Sequence, residues 1–188
     1  MENLFEVLSL PTSLTIPDGD VEQAWRTLSQ EHHPDAQGTG NADVSAKLNQ
    51  ARDVLSKPAS RLSHWLQVKG VESLPRNAAL NEDLMSLFSS VNEVLAEADT
   101  TIASLKKAQT ALAKSLLTPG AIAAQKHLQT CLGDITGRIG QISSRFPEFE
   151  KDAGSSVFDA AAASLGELKF LDKWQKECQQ RLLELIAI

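Results

Sequence analysis

The sequence lacks the features of secreted and membrane-spanning proteins. No apolar run approaches the roughly 20 residues that a membrane-spanning helix needs. Residues 1–5, Met-Glu-Asn-Leu-Phe, carry neither the positive charge and apolar stretch of a secretion signal nor the arginine-rich start of a transit peptide. We therefore expect no secretion, and a location in the bacterial cytoplasm or, for a eukaryotic chain whose transit peptide has been removed, in the mitochondrial matrix.

An excess of positive charge is also missing, and cysteine is scarce. The chain has 18 Lys and Arg against 24 Asp and Glu, which gives a formal net charge of −6. Nucleic acids and anionic membranes bind basic surfaces, so neither is an expected partner. Two widely separated cysteines, Cys131 and Cys178, indicate free thiols in a reducing compartment, where a buried cysteine behaves as a small apolar residue.

What is present favours helices. Tyrosine is absent, and Ala, Leu, Gln, Glu, Lys and Ser dominate the composition. In the first third, apolar residues at helical spacing predict two amphipathic helices. Asp20 is the predicted N-cap of the first helix, with Gln23 as its capping-box partner, and Pro34 ends it. A polar loop and a second helix complete a predicted antiparallel hairpin, and Pro58 is expected in the first turn of a third, short helix that buries Trp65.

The remaining sequence predicts long helices that pack as a bundle. One runs from a cap at Asn81 to about Ala98, and another follows with its apolar residues between 102 and 116. Thr118 and Pro119 together predict a new helix start, and Pro147 a stop. The last helix is predicted to begin at about Ser156. The predicted fold class is therefore all-α, a helical hairpin followed by a C-terminal helical bundle.

The loop of the hairpin contains the tripeptide His33-Pro34-Asp35. Three residues recur by chance, but here they stand between two amphipathic helices, as they do in J domains. Further segments are Leu-Phe-Glu-Val-Leu-Ser-Leu-Pro at 4–11, Lys-Pro at 57–58, and Leu-Lys-Phe-Leu-Asp-Lys at 168–173. With these segments the chain resembles the HscB-type J-domain co-chaperones of iron–sulfur cluster assembly over nearly its whole length.

The resemblance implies an organisation and two partners. Residues 1–69 correspond to the J domain, 70–76 to a connector and 77–188 to the helical bundle that binds the client. The first implied partner is an ATPase chaperone of the DnaK/HscA type, whose ATP hydrolysis is stimulated by contact with His33, Pro34 and Asp35, with Arg26 as a nearby cation. The second is an IscU-type iron–sulfur scaffold protein, which binds an apolar patch at Leu84, Met85, Phe88 and Phe170. No enzymatic activity and no cofactor are implied.

Charged residues depart from the pattern of the family at both implied sites. J domains usually carry several cations before the tripeptide, whereas Arg26 stands alone here and Glu22 lies four residues before it. Lys47 and Arg52 on the next helix are the cations that could compensate. At the scaffold patch, the positions where the family places carboxylates hold Ser89, Asn92 and Ala96.

Other interpretations stay open at this stage. A J-domain protein could serve a different client, a metal-dependent enzyme could be built on His32, His33 and Asp35, or the tripeptide could be accidental in a structural helical protein. His127 and Cys131, four residues apart, could share a metal, although a structural role is favoured. Leu84 is more easily explained as core, while Met85 and Phe88 suit core and binding surface equally. A weak homodimer is also compatible with the sequence.

Overall fold

The computed structural model describes residues 2–32, 42–71, 82–151 and 154–187. Within these ranges the regular structure is helical and no strand occurs, so the predicted all-α class is confirmed. Over the same ranges, no helix has the length and apolar character that crossing a membrane requires. The helices are α1 Leu4–Val7, α2 Asp18–Glu31, α3 Ala42–Leu55, α4 Pro58–Val68, α5 Glu82–Lys107, α6 Ala111–Ser143, α7 Phe146–Lys151 and α8 Ser155–Ala187.

Helices α2 and α3 form the predicted hairpin. Two side-chain contacts define their direction: Glu22 meets Arg52, and Trp25 meets Asn49. Because residue numbers rise along α2 while those of their contact partners fall along α3, the two helices are antiparallel. Leu48, Ala51 and Leu55 of α3 are buried, as the apolar stripe predicted.

The start of α2 differs from the prediction. The helix begins at Asp18, with Pro17 in the N-cap position and no side-chain hydrogen bond to the cap, so Asp20 is not the N-cap. Asp18 is held by Arg61, whose Nη2 donates to Oδ1 at 2.5 Å. Asp18 and Asp20 both lie in the first turn, where the positive end of the helix dipole favours carboxylates.

Helix α4 follows the sequence-based prediction closely. Pro58 occupies the first turn, and Trp65 is buried with its ring centroid 6.1 Å from that of Phe158. The chain leaves the helix through Gly70, whose φ of +79° lies in the left-handed region that favours glycine.

A buried histidine links α4 to α1. The Leu4 backbone N–H donates to Nε2 of His64 at 2.9 Å, and the imidazole lies 5.6 Å from the Phe5 ring, centroid to centroid. An imidazole nitrogen that accepts this bond must be unprotonated. Burial lowers the pKa of His64 below its ordinary value of 6.5, because the charged form would lose water without gaining a partner.

This geometry predicts a loss of stability in mild acid. The pKa of His64 is lower in the folded than in the unfolded chain, so its contribution is complete above about pH 6.5 and is lost as the pH falls towards the folded value. We expect the free energy of unfolding to fall by about 1 kcal/mol between about pH 7.5 and 5.5. Urea unfolding at several pH values measures this loss. The variant His64→Gln should flatten the profile, and a profile that keeps its slope in this variant would contradict the assignment to His64.

Three predicted boundaries in the long helices are wrong. Helix α5 continues past Ala98 to Lys107, and it includes Thr100 and Thr101, whose hydroxyls donate to carbonyls four residues earlier. Pro119 lies inside α6 instead of starting a helix, on an exposed stretch where only one backbone hydrogen bond is lost. Pro147 does not end a helix but belongs to the first turn of α7, a position that tolerates proline.

The contacts divide the chain into two compact units. The first comprises Met1–Ala78 and Ile142–Gly166, and the second comprises Ala79–Gln141 and Glu167–Ile188. Within the first unit, the carboxylate of Glu150 accepts from the Leu14 backbone N–H, so α7 is attached to the loop before α2. This unit is larger than residues 1–69, and the domain bounds derived from the resemblance stay a prediction.

The second unit consists mainly of three helices with defined directions. Helix α6 is antiparallel to α8, since Gln125 contacts Leu185 while Arg138 contacts Glu167. Helices α5 and α8 are parallel, because their contacts advance together along both helices. These contacts join Phe88 to Trp174, Asp99 to Arg181, and Lys106 to Glu184.

Candidate chaperone-binding and scaffold-binding sites

The first candidate site lies on the hairpin of the first unit. Its predicted tripeptide, His33, Pro34 and Asp35, lies outside the described residues. Helix α2 ends at Glu31, with His32 as its C-cap, and α3 begins at Ala42. The tripeptide therefore directly follows the described end of α2.

The cation predicted to assist the tripeptide, Arg26, is exposed on α2 but is paired within the chain. Its Nε donates to Oε1 of Glu22 at 3.3 Å, while Oε2 of the same carboxylate accepts from Arg52 Nε at 2.8 Å. Arg52, foremost through its hydrogen bond, and then Arg26 lower the pKa of Glu22. Two guanidinium groups thus share one carboxylate, so Glu22, Arg26 and Arg52 together carry a formal charge of +1.

The two cations expected to compensate are paired as well. Arg52 places its guanidinium carbon 4.4 Å from the centroid of the Trp25 ring, in addition to its bond to Glu22. Lys47 donates to Glu2 at 2.8 Å, and that pairing raises the lysine pKa. Trp25 is half-buried, and its Nε1 donates to Asn49. Arg26, Lys47 and Arg52 are therefore all engaged within the chain, which weakens their attraction for a negatively charged partner.

An open hollow of about 330 Å³ lies beside Arg26. Trp25, Ser29 and Gln30 also line it, so an aromatic ring, a hydroxyl, an amide and a guanidinium border one depression on α2. Such a depression can receive a partner side chain together with a hydrogen bond from its rim.

The second candidate site lies on α5 and α8 of the second unit. Three of its four predicted residues are exposed: Met85 at 46%, Phe88 at 41% and Phe170 at 42% of their full accessibility. Leu84 is only 1% exposed and belongs to the core, so it is not available for contact. Burial of Leu84 agrees with the prediction that this residue belongs to the core. The apolar residues of α5 span a wide face of the helix, and part of that face must contact the other helices.

Trp174 joins the two exposed phenylalanines into one patch. Its ring centroid lies 5.7 Å from that of Phe88 and 6.1 Å from that of Phe170. Its indole is only 5% exposed and lies beneath both rings. Met85, Phe88, Phe170 and Trp174 are called the aromatic patch below.

The rim of the aromatic patch on α5 is polar but uncharged at the positions singled out by the sequence. Ser89, Asn92 and Ala96 are all exposed there. Nearby carboxylates and amines of α8 pair with one another, as Asp172 does with Lys176 at 2.6 Å. The patch therefore offers mainly apolar contact, with little charge to direct a partner.

The predicted alternatives that invoke a metal find no support on the described residues. His127 pairs through Nδ1 with Glu97 Oε2 at 2.8 Å, while Cys131 faces Cys178. Across residues 2–32, 42–71, 82–151 and 154–187, no three His, Cys, Asp or Glu side chains converge as metal ligands would. His33 and Asp35, on which the enzyme alternative depends, lie outside these ranges.

A residue that positions the hairpin escaped the sequence analysis. Arg61 is buried and donates to the backbone oxygens of Leu14, Ile16 and Leu55 at 2.6–3.1 Å, in addition to Asp18. It thus connects the end of α3 with the loop and first turn of α2. The only signal in the sequence is an arginine beside the apolar residues of a short helix, and such a residue is usually exposed.

Known proteins resemble this chain both in sequence and in fold. No protein-family model matches the chain. A co-chaperone protein HscB homolog from Shewanella loihica is 26% identical to this chain over an alignment of 188 positions. The alignment covers 95% of this chain and 96% of that protein. Among solved structures, the chaperone HscB from Vibrio cholerae superimposes with a TM-score of 0.56 at 19% identity, covering 95% of this chain and 96% of that one. The human co-chaperone protein HscB gives 0.56 at 17% identity, covering 96% and 82%.

These findings confirm the predicted resemblance to HscB-type co-chaperones. The two solved structures share the fold, and the Shewanella relative extends the similarity over almost the full length of both sequences. They support the general function of a co-chaperone for this chain.

Proposed function

We propose that this HscB-type chain acts in iron–sulfur cluster assembly, where it binds an IscU-type scaffold protein and delivers it to a DnaK/HscA-type ATPase chaperone. The aromatic patch of the second unit binds the scaffold. The hairpin of the first unit, through His33, Pro34 and Asp35, stimulates ATP hydrolysis by the chaperone. The chain itself catalyses no reaction, and it works in the bacterial cytoplasm or the mitochondrial matrix.

The observation that carries the proposal is the aromatic patch. Soluble proteins rarely expose large apolar side chains in contiguous groups without a binding role. Here two phenylalanines stand half-exposed over a buried tryptophan, and the exposed Met85 precedes Phe88 by three residues on the same helix. The tryptophan limits the motion of both rings, so less conformational entropy is lost when a partner covers them. Aromatic anchors of this kind supply most of the binding energy in protein interfaces.

Binding to one chain brings the scaffold protein and the ATPase chaperone together. A scaffold held on the second unit is brought to the chaperone when the hairpin docks, which raises the effective concentration of client at the chaperone. Hydrolysis is stimulated if the hairpin binds the hydrolysis-competent state of the chaperone more tightly than the other states. The chaperone carries out ATP hydrolysis, and this chain shifts the chaperone towards its hydrolysis-competent conformation.

Steady-state ATP turnover by an HscA-type chaperone tests the proposal as a whole. We expect this chain to raise turnover, and the scaffold protein to raise it further when both are present. If the chain stimulates turnover but does not retain the scaffold in a pull-down, the client is a different protein. An unchanged rate with and without the chain would contradict a co-chaperone role for this pair of partners.

The double variant Phe88→Ser, Phe170→Ser is expected to weaken scaffold binding by at least about tenfold. Both rings are partly exposed already, so their loss removes contact area for the partner more than core packing. Because the rim lacks charge at Ser89 and Asn92, binding by the unchanged chain should depend little on salt. Isothermal titration calorimetry at low and moderate salt measures both effects.

Leu112 and Leu116 provide a matched control for this variant. Both are exposed leucines on the second unit, at 72% and 74%, and neither belongs to the aromatic patch. The double variant Leu112→Ser, Leu116→Ser removes a similar amount of exposed apolar surface and should bind the scaffold normally. Equal losses in both variants, or a loss of helical circular dichroism on replacing the phenylalanines, would refute the assignment of the patch.

A further inference from the structure

Two cysteines that are far apart in the sequence meet inside the second unit. Cys131 lies on α6 and Cys178 on α8, 47 positions later, and their sulfur atoms are 4.0 Å apart. Both thiols are free, and both residues are buried. No local sequence pattern links these two cysteines, and neither has a role in the proposed function.

We propose that Cys131 and Cys178 form a reversible redox modification site, at which a peroxide converts the two thiols into one disulfide between α6 and α8. In the first step the Cys131 thiolate attacks a peroxide oxygen, the O–O bond breaks, and a sulfenic acid and water are formed after proton transfer. In the second step the Cys178 sulfur attacks the sulfenic sulfur and expels water. Overall, hydrogen peroxide gains two electrons and the two thiols lose two electrons and two protons.

Access to the pair is unequal, and this determines the order of the steps. Cys131 lines an open groove of about 230 Å³, together with Leu87, Val94 and His127. Cys178 is fully buried behind it. A small oxidant that enters the groove therefore reaches Cys131 first, and Cys178 serves as the resolving thiol.

The pairing also favours ionisation of the more accessible thiol. A Cys131 thiolate accepts a hydrogen bond from the Cys178 thiol, which lowers the pKa of Cys131. The same interaction, with burial, raises the pKa of Cys178, which therefore stays protonated until it attacks. The thiolate is the species that peroxides oxidise, so this arrangement directs the first oxidation to Cys131.

Closure of the disulfide requires only a local movement. The sulfur atoms must approach by about 2 Å to reach the S–S bond length. The two residues lie on antiparallel helices whose contacts bracket them, at Gln125 with Leu185 on one side and at Arg138 with Glu167 on the other. The bond would link residues that are 47 positions apart in the sequence. By restricting the unfolded chain, such a link stabilises the second unit against unfolding.

Treatment of the full chain with hydrogen peroxide, followed by alkylation of remaining thiols under denaturing conditions, tests the proposal. We expect intact mass spectrometry to show a monomer that has lost two hydrogen atoms and takes up no alkylating agent, and dithiothreitol to restore both thiols. The thermal unfolding midpoint should rise by about 5–10 °C in the oxidised form.

Two single variants separate the roles of the thiols. In Cys178→Ser, Cys131 should be trapped by dimedone as a sulfenic acid, because no resolving thiol remains. In Cys131→Ser, the buried Cys178 should stay reduced under the same treatment. The proposal is overturned if both thiols of the unchanged chain remain alkylatable, if disulfide-linked dimers form instead, or if Cys131 proceeds to sulfinic acid without a disulfide. None of these readouts depends on the scaffold or the chaperone, so this test and that of the proposed function can fail independently.

Discussion

Replacing Asp35 with Ala is expected to reduce stimulation of the ATPase chaperone to its basal rate while scaffold binding is retained. By resemblance, Asp35 belongs to the tripeptide that contacts the chaperone, and its carboxylate can form a charge-assisted hydrogen bond with a cationic partner side chain. The scaffold is proposed to bind the other unit, so one function should be lost without the other.

The charge distribution around α2 explains why this effect should be large. On the described part of the hairpin, Arg26 and Arg52 share Glu22, while Lys47 is paired with Glu2. The cations Arg26, Lys47 and Arg52 therefore contribute little to holding the chaperone when the carboxylate is removed. Removing one member of a desolvated charge pair typically costs about 2–5 kcal/mol, which corresponds to about 30-fold or more in affinity.

Two further variants identify the property of Asp35 that matters. Asp35→Asn keeps the shape of the side chain but removes its charge, and it should be nearly as defective as Asp35→Ala. Asp53→Ala removes an exposed carboxylate from α3 in the same unit and should stimulate turnover normally. ATP turnover is measured over a range of co-chaperone concentrations, and scaffold binding is measured by calorimetry.

Either of two results would contradict the separation of the sites. Asp35→Ala could keep full stimulation, which would remove the tripeptide from the interface. Alternatively, stimulation and scaffold binding could be lost together in a variant with normal helical content, which would indicate a single shared surface.

Replacing Arg61 with Met is expected to destabilise the first unit by about 3–5 kcal/mol. The guanidinium is buried and donates to three backbone oxygens, those of Leu14, Ile16 and Leu55. Methionine fills a similar volume but donates no hydrogen bond, so these oxygens lose their common partner. A domain is typically stable by about 5–15 kcal/mol, and the loss is therefore a large share of the total.

Asp18 contributes little to this effect, because its side chain is 76% exposed and water replaces its partner. Asp18→Ala should therefore destabilise the chain by no more than about 1 kcal/mol. Arg61→Lys should fall between the two, since an ammonium group lacks the fork with which arginine reaches several acceptors. The contrast among these three variants separates the backbone contacts of Arg61 from its ion pair.

Urea unfolding followed by tryptophan fluorescence measures these differences. Trp65 is buried in the first unit and Trp174 in the second, so variants that keep a single tryptophan report on each unit separately. Arg61→Met should lower the midpoint reported by Trp65. A change of less than about 1 kcal/mol there would show that water satisfies the three carbonyls and that Arg61 is dispensable.

The candidate sites were predictable to different degrees. The exposure of Phe170 follows from its position off the inward face of α8, which the periodicity of the sequence shows. The burial of Trp174 does not, because it results from Phe88 on α5 covering the indole from another helix. Likewise, the pairing of Lys47 with Glu2 joins residues 45 positions apart, a proximity that only the folded chain creates.

The sequence by itself determined the helical class, the hairpin and the identity of the tripeptide, because helical periodicity and short motifs are local properties of a chain. It could not determine that α5 continues through Thr100 and Thr101 or that Pro119 lies within α6, since tertiary packing outweighs local propensities of about 1–3 kcal/mol. Only the tertiary structure decided which polar residues are buried and which cysteines meet. Such pairings depend on the arrangement of helices that are distant in sequence, and no local pattern encodes it.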